Sequence, residues 1–292
     1  MQTEIFKTTI TALITPFLNQ KVDYESLENL VKHQILNGVG GFVINGTTAE
    51  SPTLEQEEVV QIFNFVRSLV GKDFPLVLGT GSNSTLKTIK DSKLAKELGA
   101  DAALVVVPYY NKPPQRGLVK HFTAVAENVE LPILLYNVPG RTITSLSMDS
   151  IIELSKVKNI IGIKEASGNI AFAQEIYAKC SKDFILLSGD DGTYVDFLGV
   201  GGTGVISVAS HIMPLHFANW TKNGRNNDSI EFSKYKNLID LLFIEANPIP
   251  VKKALQFLGI IKSAELRLPL IELESALGAK LKTEMMRMSI IK

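Results

Sequence analysis

Short apolar runs rich in β-branched residues recur along the chain at 10–17, 41–45, 75–79, 103–108, 132–137, 160–164, 184–188 and 204–208. Runs of this length, bounded by Gly, Pro, Asn and Ser, read as strands buried on both faces. Between them the apolar period lengthens. Over 23–37, Leu27, Leu30, Val31 and Ile35 fall on one helical stripe, and 54–70, 86–98, 116–128, 147–156, 171–179 and 193–200 carry similar spacing. A strand followed by a helix, repeated this often, predicts an α/β protein with a parallel sheet closed into a (β/α)8 TIM barrel. An open doubly wound sheet would show fewer strands and a phosphate loop. The string Gly199-Val200-Gly201-Gly202-Thr203-Gly204 matches such a loop in letters only. It follows a helix and opens a strand, the reverse of what a dinucleotide site requires, so it reads as a tight helix-to-strand turn.

After residue 212 the strand pattern stops. Segments 216–223, 228–246, 250–258 and 271–288 have helical spacing, punctuated by Pro248, Pro250 and Pro269. The expected organisation is a barrel core over 1–212. Residues 213–292 then carry the last barrel helix and extra C-terminal helices packed on the barrel.

Composition narrows the class. The 292 residues fit one α/β barrel. Thirty Lys and Arg balance thirty Asp and Glu, which leaves no basic excess for a nucleic-acid partner. Cys180 is the single cysteine, so neither an intrachain disulfide nor a cysteine-rich metal site is available, and a reducing compartment fits. No secretory signal pattern opens the chain, and no apolar run nears the ~18–20 residues that cross a bilayer. The expectation is a cytoplasmic protein with no membrane partner. Of His33, His121, His211 and His216 only His211 falls near a strand end, which is poor for a metal site. A Gly-x-Ser-x-Gly elbow for a serine hydrolase is also missing.

In a parallel barrel the chemistry sits at the C-terminal ends of the strands. The residues there are mostly hydroxyls, with one lysine and one arginine. Lys164 stands inside the apolar run 160–164. By alternation it shares a face with Gly162, opposite Ile161 and Ile163, and the glycine is expected to leave it room inside the barrel. Burial disfavours an ammonium, and a neutral amine attacks carbonyls to form Schiff bases. The competing reading is a lysine whose head lies in water. Tyr136, near the end of the preceding strand, offers a phenol for the proton transfers such chemistry needs, or is a plain core aromatic. Thr47 and Thr48 read either as a helix N-cap or as a carboxylate-binding helix start. Arg141, in a loop after Pro139-Gly140, suits a carboxylate, or is a solvated surface arginine. Tyr109-Tyr110 reads as an aromatic step at a site or at a subunit contact. Asp190-Asp191 reads as the cap of a helix beginning near Thr193 rather than as a metal ligand pair.

Three strings taken together resemble the dihydrodipicolinate synthase family, also named 4-hydroxy-tetrahydrodipicolinate synthases. They are Gly46-Thr47-Thr48-Ala49-Glu50-Ser51, Tyr136-Asn137-Val138-Pro139-Gly140-Arg141-Thr142 and Ile161-Gly162-Ile163-Lys164-Glu165-Ala166-Ser167-Gly168. Supporting strings begin at Thr11, Pro108, Leu187 and Gly204, in family order along the whole chain. The Lys164 string marks the wider superfamily of pyruvate-dependent lyases, and the string carrying Arg141 is the more specific one.

The resemblance implies a lyase that condenses pyruvate with L-aspartate 4-semialdehyde on the route to diaminopimelate and lysine. It implies no metal or redox cofactor, only a covalent imine between Lys164 and pyruvate. Carried over by position, Tyr136 exchanges protons, and Thr47 and Tyr110 relay them to water. Thr48 holds the pyruvate carboxylate, Ile206 and Gly189 line the same pocket, and Arg141 receives the semialdehyde carboxylate. A homotetramer built as a dimer of dimers is implied, with Tyr110 reaching the neighbouring site. Two departures stand out: Gln56 where lysine-sensitive relatives carry histidine, and Lys87 where they carry an acidic residue. Asn83 and Tyr109 match that effector site. A positive Lys87 would repel the effector's ammonium groups, so weak or absent feedback by lysine is expected. Ala49 stands where glycine is common and is expected to need φ < 0. Two alternatives share these residues: a sibling aldolase acting on 2-keto-3-deoxy sugar acids or sialic acid, and a catalytically silent barrel that only binds a keto acid.

Overall fold

In the computed structural model, which describes residues 3–291, eight parallel strands close on themselves. β1 (Thr9–Ala12) leads into a small hairpin, β2 (Phe17–Leu18) with β3 (Lys21–Val22). The barrel continues with β4 (Gly41–Ile44), β5 (Leu76–Gly79), β6 (Ala102–Val106), β7 (Ile133–Asn137), β8 (Ile160–Glu165), β9 (Ile185–Ser188) and β10 (Gly204–Ser207). Neighbours pair in chain order, and β1 closes the ring between β10 and β4. The expected (β/α)8 barrel is present. The run expected over 10–17 is divided: its strand ends at Ala12, and Phe17 opens the hairpin.

The helices are α1 (Tyr24–Leu36), α2 (Gln56–Val70), α3 (Thr85–Glu97), α4 (Gln115–Asn128), α5 (Pro139–Thr142), α6 (Met148–Leu154) and α7 (Ile170–Lys179). Then come α8 (Tyr194–Gly199), α9 (Pro214–Asn223), α10 (Ser229–Ser233), α11 (Lys236–Leu241), α12 (Ile249–Phe257) and α13 (Ser275–Arg287). Local chemistry sets their starts. The Asp23 side chain accepts the Ser26 N–H at 3.1 Å to begin α1, and Glu55 with Glu58 forms a capping box on α2. The helix expected over 228–246 is broken into α10 and α11. The glycine string at 199–204 joins α8 to β10 as a turn. At Gly201 (φ +117°) an added Cβ would lie 2.4 Å from the Tyr177 ring, so the turn is closed to larger residues.

Apolar side chains separate into two layers. An inner set including Ile10, Val43, Val77, Leu104, Leu134, Tyr136, Leu187 and Ile206 fills the barrel. An outer set including Phe42, Ile44, Phe63, Phe122, Leu135, Ile163 and Phe217 packs the strands against the helices. Both strand faces are therefore buried, which is why the strands lack a polar alternation. The α1 stripe is narrower than expected. Leu27, Leu30 and Val31 are buried, but Ile35 is 37% exposed. Gln34 takes the inward position instead, with the Thr11 hydroxyl donating to its Oε1 at 2.7 Å and its Nε2 donating to the His211 carbonyl at 3.0 Å.

Strict alternation also fails in β8. Ile133 of β7 pairs with Ile160, but Leu134 pairs with Gly162, so Ile161 is an extra residue, a β-bulge. Ile161 joins the inner layer and Ile163 the outer one, although alternation placed them together. After the bulge the register carries Tyr136 opposite Lys164 and Asn137 opposite Glu165.

Candidate active site

The register of β7 and β8 builds the centre. Lys164 is only 7% exposed, and its Nζ lies 4.3 Å from the centroid of the Tyr136 ring. The lysine head is thus inside the barrel against an aromatic face, not in water. The glycine that gives it room is not the one alternation suggested. A Cβ on Gly162 would meet the Ile185 carbonyl oxygen at 2.4 Å, so Gly162 serves the close approach of β9. A Cβ on Gly189 would meet Lys164 Cε at 2.8 Å, so Gly189, just past β9, is the residue that spares space for the amine.

The residues that follow Tyr136 and Lys164 lock the two strand ends together. The Asn137 amide donates to Glu165 Oε2 at 2.7 Å, and Glu165 Oε1 accepts the Ser167 N–H at 2.7 Å. Asn137 Oδ1 accepts the Leu146 N–H at 3.0 Å. Burial pushes the Glu165 carboxyl upward, opposed by the hydrogen bonds from Ser167 and Asn137. Sequence reasoning had no role for Asn137 or Glu165. Their signal is position alone, one residue beyond each candidate catalytic side chain.

A cavity of about 450 Å³ opens beside this centre, lined by Thr47, Gln56, Lys87, Leu104, Tyr109 and Tyr136 among others. Thr47 and Tyr136 therefore share a space. Thr47 and Thr48 lie in a single 3-10 turn, Thr47–Ala49, and do not cap α2, which begins at Gln56 with Glu55 as its cap. Ala49 keeps a negative φ within that turn, and Glu50 takes the left-handed conformation at φ +60°. Ile206 lies on β10 in the inner layer with Tyr136. Arg141 is exposed and sits in the short helix α5 rather than in a loop.

Tyr110 stands apart. It is 88% exposed with φ +72°, a strained backbone for a bulky residue. Within one chain it does not line the cavity. Asp190 caps the turn before α8, accepting the Gly192 and Thr193 N–H groups at 2.8 and 3.2 Å. Asp191 does not cap that helix. Its buried carboxylate accepts the Val208 and Ala209 N–H groups at 2.9 and 2.8 Å, and burial pushes it up to about 6. His211 is buried, with Nδ1 against the Val208 carbonyl at 2.7 Å and Nε2 accepting the Ile14 N–H at 3.2 Å. Among the described residues no three of His, Cys, Asp and Glu gather as a metal-binding group, and no helix is long and apolar enough to cross a membrane.

The turn after β4 is held from behind by a network that sequence reasoning missed. Glu50 is ion-paired to the fully buried Lys252 of α12. The other Glu50 carboxylate oxygen accepts the Arg267 N–H at 3.0 Å, and Lys252 also donates to the Glu265 carbonyl at 2.8 Å. Burial lowers the Lys252 ammonium to about 8, against the pull of Glu50. In sequence Lys252 looks like any lysine on an amphipathic helix.

A buried lysine thus stands against a tyrosine at the C-terminal ends of adjacent strands. The profile of the dihydrodipicolinate synthetase family matches residues 5–287. The chain belongs to this family. It is 57% identical to the 4-hydroxy-tetrahydrodipicolinate synthase of Bdellovibrio bacteriovorus, over 98% of this chain and 99% of that one. It superposes on the crystal structure of dihydrodipicolinate synthase from Aquifex aeolicus with a TM-score of 0.93 at 40% identity, covering 97% of this chain and 98% of that one. The chloride-inhibited dihydrodipicolinate synthase from Acinetobacter baumannii complexed with pyruvate gives a TM-score of 0.94 at 40% identity, covering 97% and 99%. Membership makes the chain a lyase-type barrel of the dihydrodipicolinate synthase group.

Proposed function

We propose that this barrel condenses pyruvate with L-aspartate 4-semialdehyde, acting as a 4-hydroxy-tetrahydrodipicolinate synthase. The observation that carries the reading is the buried Lys164 amine beside the Tyr136 ring, in a chain of this family. The Lys164 amine adds to the ketone carbon of pyruvate, and the carbinolamine loses water to give an imine. Loss of a methyl proton makes the enamine, a carbon nucleophile that adds to the aldehyde. The amino group of the semialdehyde portion then attacks the imine carbon, closes the ring and releases Lys164. Tyr136 is positioned to give a proton to the departing oxygen and to take protons back. No metal or redox group is needed for these steps.

Thr48 and the residues around Ile206 and Gly189 receive the pyruvate carboxylate end, and Arg141 receives the carboxylate of the second substrate. Thr47 passes protons from Tyr136 toward water. Tyr110 completes that relay only from a second copy, which its exposure in a single chain supports. A homotetramer built as a dimer of dimers meets that need. The helices beyond residue 212 act as an extension packed on the barrel, a reading supported by the Lys252 and Arg267 contacts to Glu50. Chemistry of this kind belongs in the cytoplasm.

A sibling aldolase would share Lys164 and Tyr136. Arg141 and the Tyr109-Tyr110 pair favour the synthase reading. The test is a coupled assay offering pyruvate with aspartate semialdehyde, and separately 2-keto-3-deoxy sugar acids and sialic acid. Turnover of the semialdehyde at a kcat/KM at least two orders of magnitude above any sugar acid is expected. The opposite ranking would assign the chain to the sibling class, and no turnover of either would favour the silent barrel.

A further inference from the structure

Asn247 connects two candidate substrate-binding residues that are far apart in sequence. It lies in the segment just before α12 and is 6% exposed. Its Nδ2 donates to Thr48 Oγ1 at 2.8 Å, and its backbone carbonyl accepts from Arg141 Nη2 at 3.4 Å. Thr48 follows β4 and Arg141 follows β7, so one residue of the C-terminal region reaches both.

The side chain is only half used. Asn247 Oδ1 is buried and has no hydrogen-bond partner among the described residues. A buried polar atom left unpaired is costly, and an apolar side chain of similar size would avoid that cost. The polar contact that the amide makes is its donation to Thr48. That donation has a directional consequence. A hydroxyl carries one hydrogen and two lone pairs. With an amide N–H occupying a lone pair, the Thr48 hydrogen cannot point at Asn247 and is left for another acceptor. A carboxylate accepts such a hydrogen strongly.

We propose that Asn247 is a positioning residue. Its amide fixes Thr48 as a donor toward the carboxylate of the bound 2-oxo acid, while its carbonyl holds Arg141 over the same mouth. This rests on the condensation reading above. It adds a part that divides by atom: the side chain serves the first substrate, and the backbone serves the second.

The test uses Asn247→Ala, Asn247→Asp, Thr48→Val and the double variant Asn247→Ala/Thr48→Val in the full-length chain. Circular dichroism and thermal melts check folding. KM for pyruvate, KM for the semialdehyde, and the rate of borohydride trapping at limiting pyruvate are measured. Asn247→Ala should raise the pyruvate KM about tenfold, the factor carried by one hydrogen bond to a charged group. The semialdehyde KM should stay within about twofold, because the backbone carbonyl facing Arg141 is retained. Asn247→Asp has nearly the same shape but offers only acceptors. It would draw the Thr48 hydrogen to itself and should raise the pyruvate KM as much as alanine does. In the Thr48→Val background, Asn247→Ala should add no more than about twofold.

Four results would overturn the inference. They are an unchanged pyruvate KM in Asn247→Ala, equal rises for both substrates, wild-type behaviour of Asn247→Asp, or effects that multiply independently in the double variant. Should Asn247→Ala fail to fold, the near-isosteric Asn247→Asp decides alone. A wild-type chain that traps no pyruvate would instead overturn the condensation reading itself.

Discussion

Gly189→Ala is the sharpest structural perturbation of the lysine. Gly189 has no left-handed φ, so alanine brings no backbone strain, only one methyl group. That methyl would stand 2.6 Å from Ala166 Cβ, 2.8 Å from Lys164 Cε and 3.0 Å from Lys164 Cγ. Carbon contacts relax to about 3.5–4.0 Å, so the lysine stem has to retreat by roughly 0.7–1.2 Å. The Ala166 contact is less forgiving, because both carbons are fixed by backbone. Overpacking of this kind costs about 1–3 kcal/mol of stability. The catalytic cost is larger, since a misplacement near 1 Å at a reacting group costs on the order of 100-fold. The assay is kcat/KM together with the rate of borohydride trapping by pyruvate, with a urea unfolding curve on the same preparation. Expected are a 30- to 100-fold fall in trapping rate (the upper part of that scale) and a lower urea midpoint. Adding Ala166→Gly should recover stability but not the trapping rate, because only the Lys164 contact then remains. A Gly189→Ala enzyme that traps pyruvate at the wild-type rate would refute the placement of the lysine.

Other perturbations probe the supports of the site. Lys252→Met leaves the Glu50 carboxylate buried without its cation, and breaking such a pair should cost about 3–5 kcal/mol in urea unfolding; a loss under about 1 kcal/mol would contradict the buried pairing. His211 is held neutral, because burial lowers it to about 4 while the unfolded chain titrates at 6.5. Its contribution is therefore complete above pH 6.5 and is lost as pH falls toward 4, at about 1.4 kcal/mol per pH unit. The wild-type minus His211→Gln difference in unfolding free energy should show that slope, and a flat difference would contradict it. Lys87 and Gln56 line the cavity, and Lys87 is ion-paired to Asp91 at 2.8 Å. Sub-millimolar L-lysine should leave the steady-state rate unchanged, and strong inhibition would show that Lys87 does not repel the effector.

The barrel was legible because strands buried on both faces leave unbroken apolar runs, and eight of them with helical spacing between admit few folds. Lys164 was legible for the same reason, as a charge inside such a run. What alternation could not supply was the bulge at Ile161, since an extra residue leaves no mark in the hydrophobic pattern. Nor does alternation along one strand show the approach of its neighbour, which occupies the space beside Gly162 with the Ile185 carbonyl and leaves Gly189 to make room for Lys164. Long-range polar contacts were equally hidden. Asn247 with Thr48, and Lys252 with Glu50, are set by how the C-terminal helices fold back on the barrel, and no local pattern encodes that approach. Ile35 and Gln34 exchanged places for a related reason: a helical stripe predicts a face, whereas the polar groups of Thr11 and His211 decided which residue on its edge turned inward.

Condensation in this barrel requires the covalent adduct to form on Lys164. Incubating the protein with pyruvate and sodium borohydride, followed by peptide mass spectrometry, tests it directly. The peptide holding Lys164 should gain the mass of pyruvic acid less one oxygen atom, and Lys164→Ala should gain none. An adduct on Lys252 or another lysine, or no adduct at saturating pyruvate, would contradict it.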